Sequence, residues 1–390
     1  MPALSLTGAQ SPATPWRMVL SGFCASLLGI GLSRFAYTPL LPELVSAGWF
    51  GAGDAAYLGA ANLAGYLAGA LLARRVAARF GATAAMRGAM LLAVASFFAC
   101  AAPLSFAWFF LWRLASGIAG GMLMVLVAPT ILPHVPEARR GLAGGLIFTG
   151  VGAGIALSGT AVPLLLQGGL VRTWIELGLL ALVLAGLAWG GWPPAARRVA
   201  AARAGLRPSR ALWLLALVYA LNALGLVPHM TLLVDFVARG LGQGLKAGAA
   251  YWVVFGLGAM AGPVLAGSLA DRVGFRSALR VALALQVAAV GLVVLSHSPA
   301  ALVASSIIVG GFVPGIVPLV LGRLREIAGP DPERQRAAWS LGTIAFAVGQ
   351  AGGGYGLSFL FAETGSHALL FVIASAALAV ALLVELASPR

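Results

Sequence analysis

Five ionisable side chains lie inside long apolar runs, and their types bound the chemistry available. Arg34 interrupts GIGLSRFAYTPLLPEL and Arg113 opens RLASGIAGG. His229 follows a proline in GLVPHMTLLVD, which ends on Asp235, and Glu176 follows Arg172 by four residues. Guanidinium groups held away from water bind anions, and their planar fork matches a carboxylate. An imidazole or a desolvated carboxyl group can exchange a proton near neutral pH. The chemistry on offer is anion binding and proton exchange. Nothing in the spacing supports metal ligation or an intramembrane enzyme: Cys24 and Cys100 sit singly in apolar runs, and only four histidines are scattered along 390 residues. No cofactor and no metal is expected.

Each group also has a structural reading. Asp235 with Arg239, and Arg172 with Glu176, have the i,i+4 spacing of helical ion pairs. His229 could be a satisfied core histidine. Tyr37, one turn beyond Arg34, and Gln350 could join the arginines at a ligand or serve as contacts between helices.

The elements that position these residues follow from composition. The chain is 61% hydrophobic and 9% charged, against about 25% charged in a soluble domain. Its 52 glycines suit closely packed membrane helices. The expected class is an all-α integral membrane protein. Runs long enough to cross the hydrocarbon layer fall at about 18–42, 54–73, 86–103, 106–133, 141–167, 171–192, 211–238, 247–269, 277–296, 299–322, 337–361 and 367–386. The polar loop around Pro193 to Arg210 divides these spans six and six, giving an N-terminal half (1–192), a linker (193–210) and a C-terminal half (211–390).

Charge distribution orients the bundle. Twenty of the 25 basic residues fall in segments on one side, among them Arg17, Arg74, Arg75, Arg79, Arg87, Arg139, Arg140 and the arginines of the linker. The opposite side carries Arg172, Arg239 and Lys246. The positive-inside rule then places both termini in the cytoplasm. The net charge of +14 is a topology signal, so a nucleic-acid partner is not expected. The preference for arginine over lysine points to a bacterium of high genomic GC, and hence to its inner membrane.

Depth brings three cationic groups together. Counted back from Pro42, Arg34 lies ~12 Å below the outer end of span one at 1.5 Å per residue. The same count puts Arg113 ~10 Å and His229 ~13 Å down spans four and seven. A charge in hydrocarbon costs about 2.5–3.5 kcal/mol on insertion scales, so each needs a cavity, a partner or water.

GSLADRVGFRSALR, residues Gly267 to Arg280, resembles the loop signature of the major facilitator superfamily. Gly267, Asp271, Arg272, Gly274 and Arg276 match that signature, and Phe275 replaces a basic residue. The corresponding loop of the first half has Ala73 where the aspartate would be. RLASGIAGG resembles the superfamily's span-four arginine followed by glycines at fourfold spacing. GVGAGIALSG (Gly150 to Gly159) resembles its antiporter motif, with Ile155 in place of the central proline. The opening stretch and DFVARGLG are similar to the YbfB/YjiJ-type branch.

The resemblance implies two pseudo-symmetric six-helix bundles around a cavity lined by spans one, four, seven and ten. It also implies a conformational latch formed by Gly267, Asp271, Arg272, Gly274 and Arg276 against the start of span five. The expected function is secondary transport by alternating access, for a small organic anion with proton coupling. Arg34, Arg113, Tyr37 and Gln350 would bind the substrate, and His229, Asp235 or Glu176 would carry the proton. The expected partners are that substrate, protons and the lipid bilayer, with the chain acting as a monomer. Alternatives are proton-driven export of hydrophobic or cationic compounds, an amino-acid carrier with Asp235 on the ammonium, and a membrane sensor or scaffold.

Overall fold

A computed structural model describes residues 15–136, 139–193 and 209–388, without side chains at 140–142, 332, 333 and 336. Most of the 193–210 linker and the outermost residues of both termini lie outside the described residues. Twelve helical runs among the described residues are long and apolar enough to cross a membrane.

The first run, Pro15–Ser46, is not one helix. It comprises α1 (Pro15–Ser26), a wide π turn (Leu27–Leu32), a turn at 33–36, and α2 (Tyr37–Ser46). The remaining spans are α3 (Ala52–Phe80), α4 (Ala82–Cys100), α5 (Phe106–Ile131), α6 (Arg140–Leu165) and α7 (Leu170–Ala188) in the first half. The second half holds α8 (Arg210–Asp235), α9 (Gly244–Val273), α10 (Phe275–Leu295), α11 (Pro299–Ala328), α12 (Pro332–Thr364) and α13 (His367–Ala387).

Several helices outrun their apolar stretches on the arginine-rich face. α3 extends past residue 73 through Arg74, Arg75 and Arg79, because nothing in that polar turn opposes helix. It ends at Gly81, as α9 ends at Gly274 and α11 at Gly329, with φ of 88°, 80° and 75°. That left-handed backbone favours glycine, so these loops, not the edge of hydrophobicity, set the boundaries.

Small residues set the packing within each half. A Cβ on Gly117 would lie 2.1 Å from the Asn62 carbonyl oxygen, and one on Gly121 2.2 Å from that of Tyr66. These contacts join α3 to α5. In the second half Gly258, Gly262 and Gly310 bring α9 against α11 in the same way, with Gly262 facing the Gly311 carbonyl. Close backbone approach substitutes here for the hydrophobic drive that lipid cannot supply.

The halves meet along α6 with α9 and α3 with α12. Gly152 packs on Met260, Ala156 on Gly256 and Gly159 on Val253, an antiparallel register. Two turns further toward the arginine-rich face, that register sets Gly145 level with Gly267, and neither has an atom within 4 Å of a would-be Cβ. Meanwhile Gly53 touches Ala362, and Thr38 bonds the Met230 carbonyl, on the opposite side. The two halves are joined away from the arginine-rich face and spread apart toward it.

Candidate functional site

The interruption of the first span builds the site. Gly29 and Gly31 fit against Leu123 and Gly154, where a side chain would collide. Their low helix propensity makes a wide turn cheap there. Pro39 follows, with no N–H and a ring that crowds the carbonyl four residues earlier. At the end of the wide turn the Ser33 N–H reaches back five residues to Leu28, at 3.0 Å. The freed Ser33 carbonyl accepts from Arg113 Nη1 (2.8 Å) and Ser116 Oγ (3.1 Å). Asn62 Nδ2 donates to the Arg113 carbonyl and to Ser116 Oγ. The Arg113 guanidinium lies 4.3 Å from the Tyr37 ring centre, and Tyr37 donates its hydroxyl to the Ala55 carbonyl at 2.8 Å. Of the two residues expected at the ligand, Arg113 is bonded instead to backbone exposed by the broken helix, and Tyr37 to the Ala55 carbonyl in the first turn of α3.

Arg34 is placed differently. The broken span continues to Ser46, so Arg34 lies twelve residues, ~18 Å of helix, from its end. Its guanidinium rests between the rings of Phe35 (5.1 Å) and Tyr66 (5.6 Å). Arg34 Nη2 points at the Met230 sulfur across the junction, at 3.7 Å. Gln350 Nε2 approaches the same sulfur at 3.9 Å. The first span, α3, α8 and α12 thus converge on one point. No carboxylate among the described residues forms an ion pair with Arg34.

The proton-exchanging candidates do not gather there. His229 is fully buried, with Nε2 2.8 Å from Ser305 Oγ and its ring edge-on to Phe371. Ser305 Oγ donates to the Ala289 carbonyl, so the bond requires the Nε2–H tautomer of His229. Glu176 pairs with Arg172 at 2.7 Å on α7, outside this cluster. Asp235 is fully buried and bonds both Arg239 and His367, the latter at 2.7 Å through Nε2. Exposed i,i+4 pairs contribute little, so Glu176→Gln is expected to change stability by less than about 0.5 kcal/mol, as thermal unfolding would show. Arg113→Leu strips a buried carbonyl of a charged donor and should cost about 2 kcal/mol in the same assay.

The comparisons with known proteins bear on this arrangement. Residues 26–386 match the family model described as "MFS_4: Uncharacterised MFS-type transporter YbfB". The chain belongs to this family of MFS-type transporters. No curated protein matches the chain. Among solved structures, a D-xylose-proton symporter superposes with a TM-score of 0.75 at 15% identity, covering 96% of this chain and 98% of that one. The inward open xylose transporter XylE from E. coli gives 0.76 at 15% identity over 96% of each chain. Its partially occluded inward open form gives 0.72 at 15% identity over 95% of this chain and 96% of that one. At that identity the likeness is one of fold. The chain is thus an all-helical, multi-pass membrane transporter rather than an enzyme.

For an MFS transporter the position of the loop motif matters. Gly274 joins α9 to α10, its N–H returning to the Ala270 carbonyl at 2.8 Å. Asp271 and Arg272 are exposed, and Asp271 makes no ion pair among the described residues. The side chains at the start of α6 lie outside the described residues. Arg276 instead bonds the Ser388 carbonyl and lies 3.8 Å from Glu385, while Arg280 bonds the Glu385 carbonyl at 3.1 Å. These arginines hold the end of α13.

Sequence reasoning missed Met230, Tyr66 and His367. Met230 sits in an apolar run where methionine reads as core filler, and Tyr66 reads as one more large helix residue. His367 alone carried a signal: it is one of four histidines, placed just inside the start of an apolar span.

Proposed function

We propose that this MFS-type transporter carries a small organic anion by alternating access, with Arg34 as the counter-ion and Gln350 beside it. The observation that supports this reading is the unpaired Arg34 guanidinium, held at the junction of the two halves against only rings and a sulfur. A half-buried cation inside a membrane span without an acidic partner is costly unless an anion visits it. Arg113 and Tyr37 support the site by holding the broken helix around it.

Coupling follows from charge. With the inside negative, moving one negative charge inward costs about 2.3 kcal/mol per 100 mV, so uptake of a monoanion favours a co-transported proton. The Asp235–His367 pair serves as the proton site in this reading, since a buried carboxylate and an imidazole share one short hydrogen bond there. The pair faces Arg239, and His297 also packs on Phe236, with ring centres 5.8 Å apart. Asp235→Asn is expected to flatten the pH dependence of uptake, whereas His229→Gln leaves it in place; initial rates between pH 5.5 and 8 provide the check.

The arginine-rich face is cytoplasmic in this reading, in a bacterial inner membrane, and the chain acts as a monomer. The spread between Gly145 and Gly267 is then an inward-facing state. The latch of Gly267, Asp271, Arg272, Gly274 and Arg276 closes on the start of α6 in the alternate state. The test is uptake of short radiolabelled carboxylates into proteoliposomes under an imposed pH gradient. Gradient-driven carboxylate uptake supports the reading. Gradient-driven efflux of cationic dyes without carboxylate flux would replace it with export.

A further inference from the structure

Arg34 and Gln350 are given a poor acceptor. A thioether sulfur accepts hydrogen bonds weakly, yet Arg34 Nη2 and Gln350 Nε2 both point at Met230 Sδ, at 3.7 and 3.9 Å. Two further atoms of the same side chains, Arg34 Nε and Gln350 Oε1, are buried without a partner. A buried polar atom left unpaired costs about 1–3 kcal/mol, so the group is built for a ligand that it does not supply from its own chain. What it lacks is an anionic acceptor for the guanidinium and a hydrogen-bond donor for Gln350 Oε1.

We propose that the Met230 sulfur holds the place of a substrate carboxylate and that the substrate is a small 2-hydroxy carboxylate. This rests on the anion reading above. The carboxylate takes the Arg34 fork, and a hydroxyl on the adjacent carbon donates to Gln350 Oε1. The two ligand groups must be close neighbours, because one atom, Met230 Sδ, is within reach of both side chains. The donor is neutral. An ammonium group would need a counter-charge, and Asp235 has its oxygens bonded to Arg239 and His367. The same occupancy disfavours an amino acid as substrate. Phe35 and Tyr66 bracket the guanidinium and keep its fork pointed across the junction.

The test uses the full-length protein in detergent, titrated with lactate, propionate and alanine while thermal unfolding is followed. A ligand of the folded state raises Tm by mass action, from which an apparent Kd is obtained. Lactate is expected to bind about tenfold more tightly than propionate, the worth of one buried hydrogen bond, and alanine not at all. Gln350→Leu should bring lactate and propionate level. Equal binding of lactate and propionate to the unaltered protein overturns the hydroxyl assignment and leaves the anion site standing. Tighter binding of alanine than of lactate also overturns it. If no carboxylate binds, the anion reading itself fails, and with it this inference.

Discussion

Arg34→Gln abolishes stabilisation by carboxylates, weakening their binding more than about 100-fold, while the protein still inserts and unfolds cooperatively. The expected size comes from what is removed. A desolvated, charge-assisted fork is worth about 1.5–3 kcal/mol for each hydrogen bond to charge, and two bonds to a carboxylate are lost together. Folding is spared because Arg34 holds no structural partner: its contacts are two rings and a thioether. Glutamine also removes an unpaired charge from the membrane interior, so the unliganded protein should be no less stable. Arg34→Lys keeps the charge but not the planar fork, and retains binding weakened by about tenfold. Thermal shift against a carboxylate series, with size-exclusion profiles as the folding control, measures both. Undiminished stabilisation of the glutamine variant would show that the anion binds elsewhere.

Gly262→Ala lowers stability by about 3 kcal/mol or more, at the top of the range for overpacking. A Cβ at Gly262 falls 1.8 Å from the Gly311 carbonyl oxygen and 2.5 Å from its carbonyl carbon. The obstacle is backbone, so no rotamer change relieves it and α9 must move off α11. That movement also breaks the approaches at Gly258 and Gly310 along the same seam. Gly267→Ala, five residues along the same helix, serves as the comparison, because open space surrounds that position. Its stability should stay within about 0.5 kcal/mol of the parent. Its transport should nevertheless slow, since the proposed closing of the latch would bring Gly267 toward Gly145. A stable Gly262→Ala protein would mean that α9 and α11 pack more loosely than their glycines indicate. A Gly267→Ala protein with an unchanged rate would remove Gly267 from the latch.

The sequence by itself determined the class, the twelve spans and the small-residue faces. Hydrocarbon tolerates only internally bonded backbone, so a span announces itself by length and hydropathy without reference to its neighbours. The glycines at fourfold spacing after Arg113 were legible for the same reason: helical periodicity alone puts Gly117 and Gly121 on one face. Arg34 stood out because charge inside an apolar run is costly wherever it points. What such local rules cannot supply is the partner.

Arg34 meets Met230 across 196 residues, Arg113 meets the Ser33 carbonyl across 80, and Asp235 meets His367 across 132. Those pairings depend on how the two halves are docked and on the π turn that frees the Ser33 carbonyl. The π turn follows from Gly29 and Gly31 only once Leu123 and Gly154 press against them. Counting along the sequence set Arg34, Arg113 and His229 level, but the first span runs on to Ser46 and leaves Arg34 ~18 Å from its end. Direction around the helix depended on packing, and only the tertiary structure turned Arg34 to the junction, Arg113 to the broken backbone and His229 into the core of the second half.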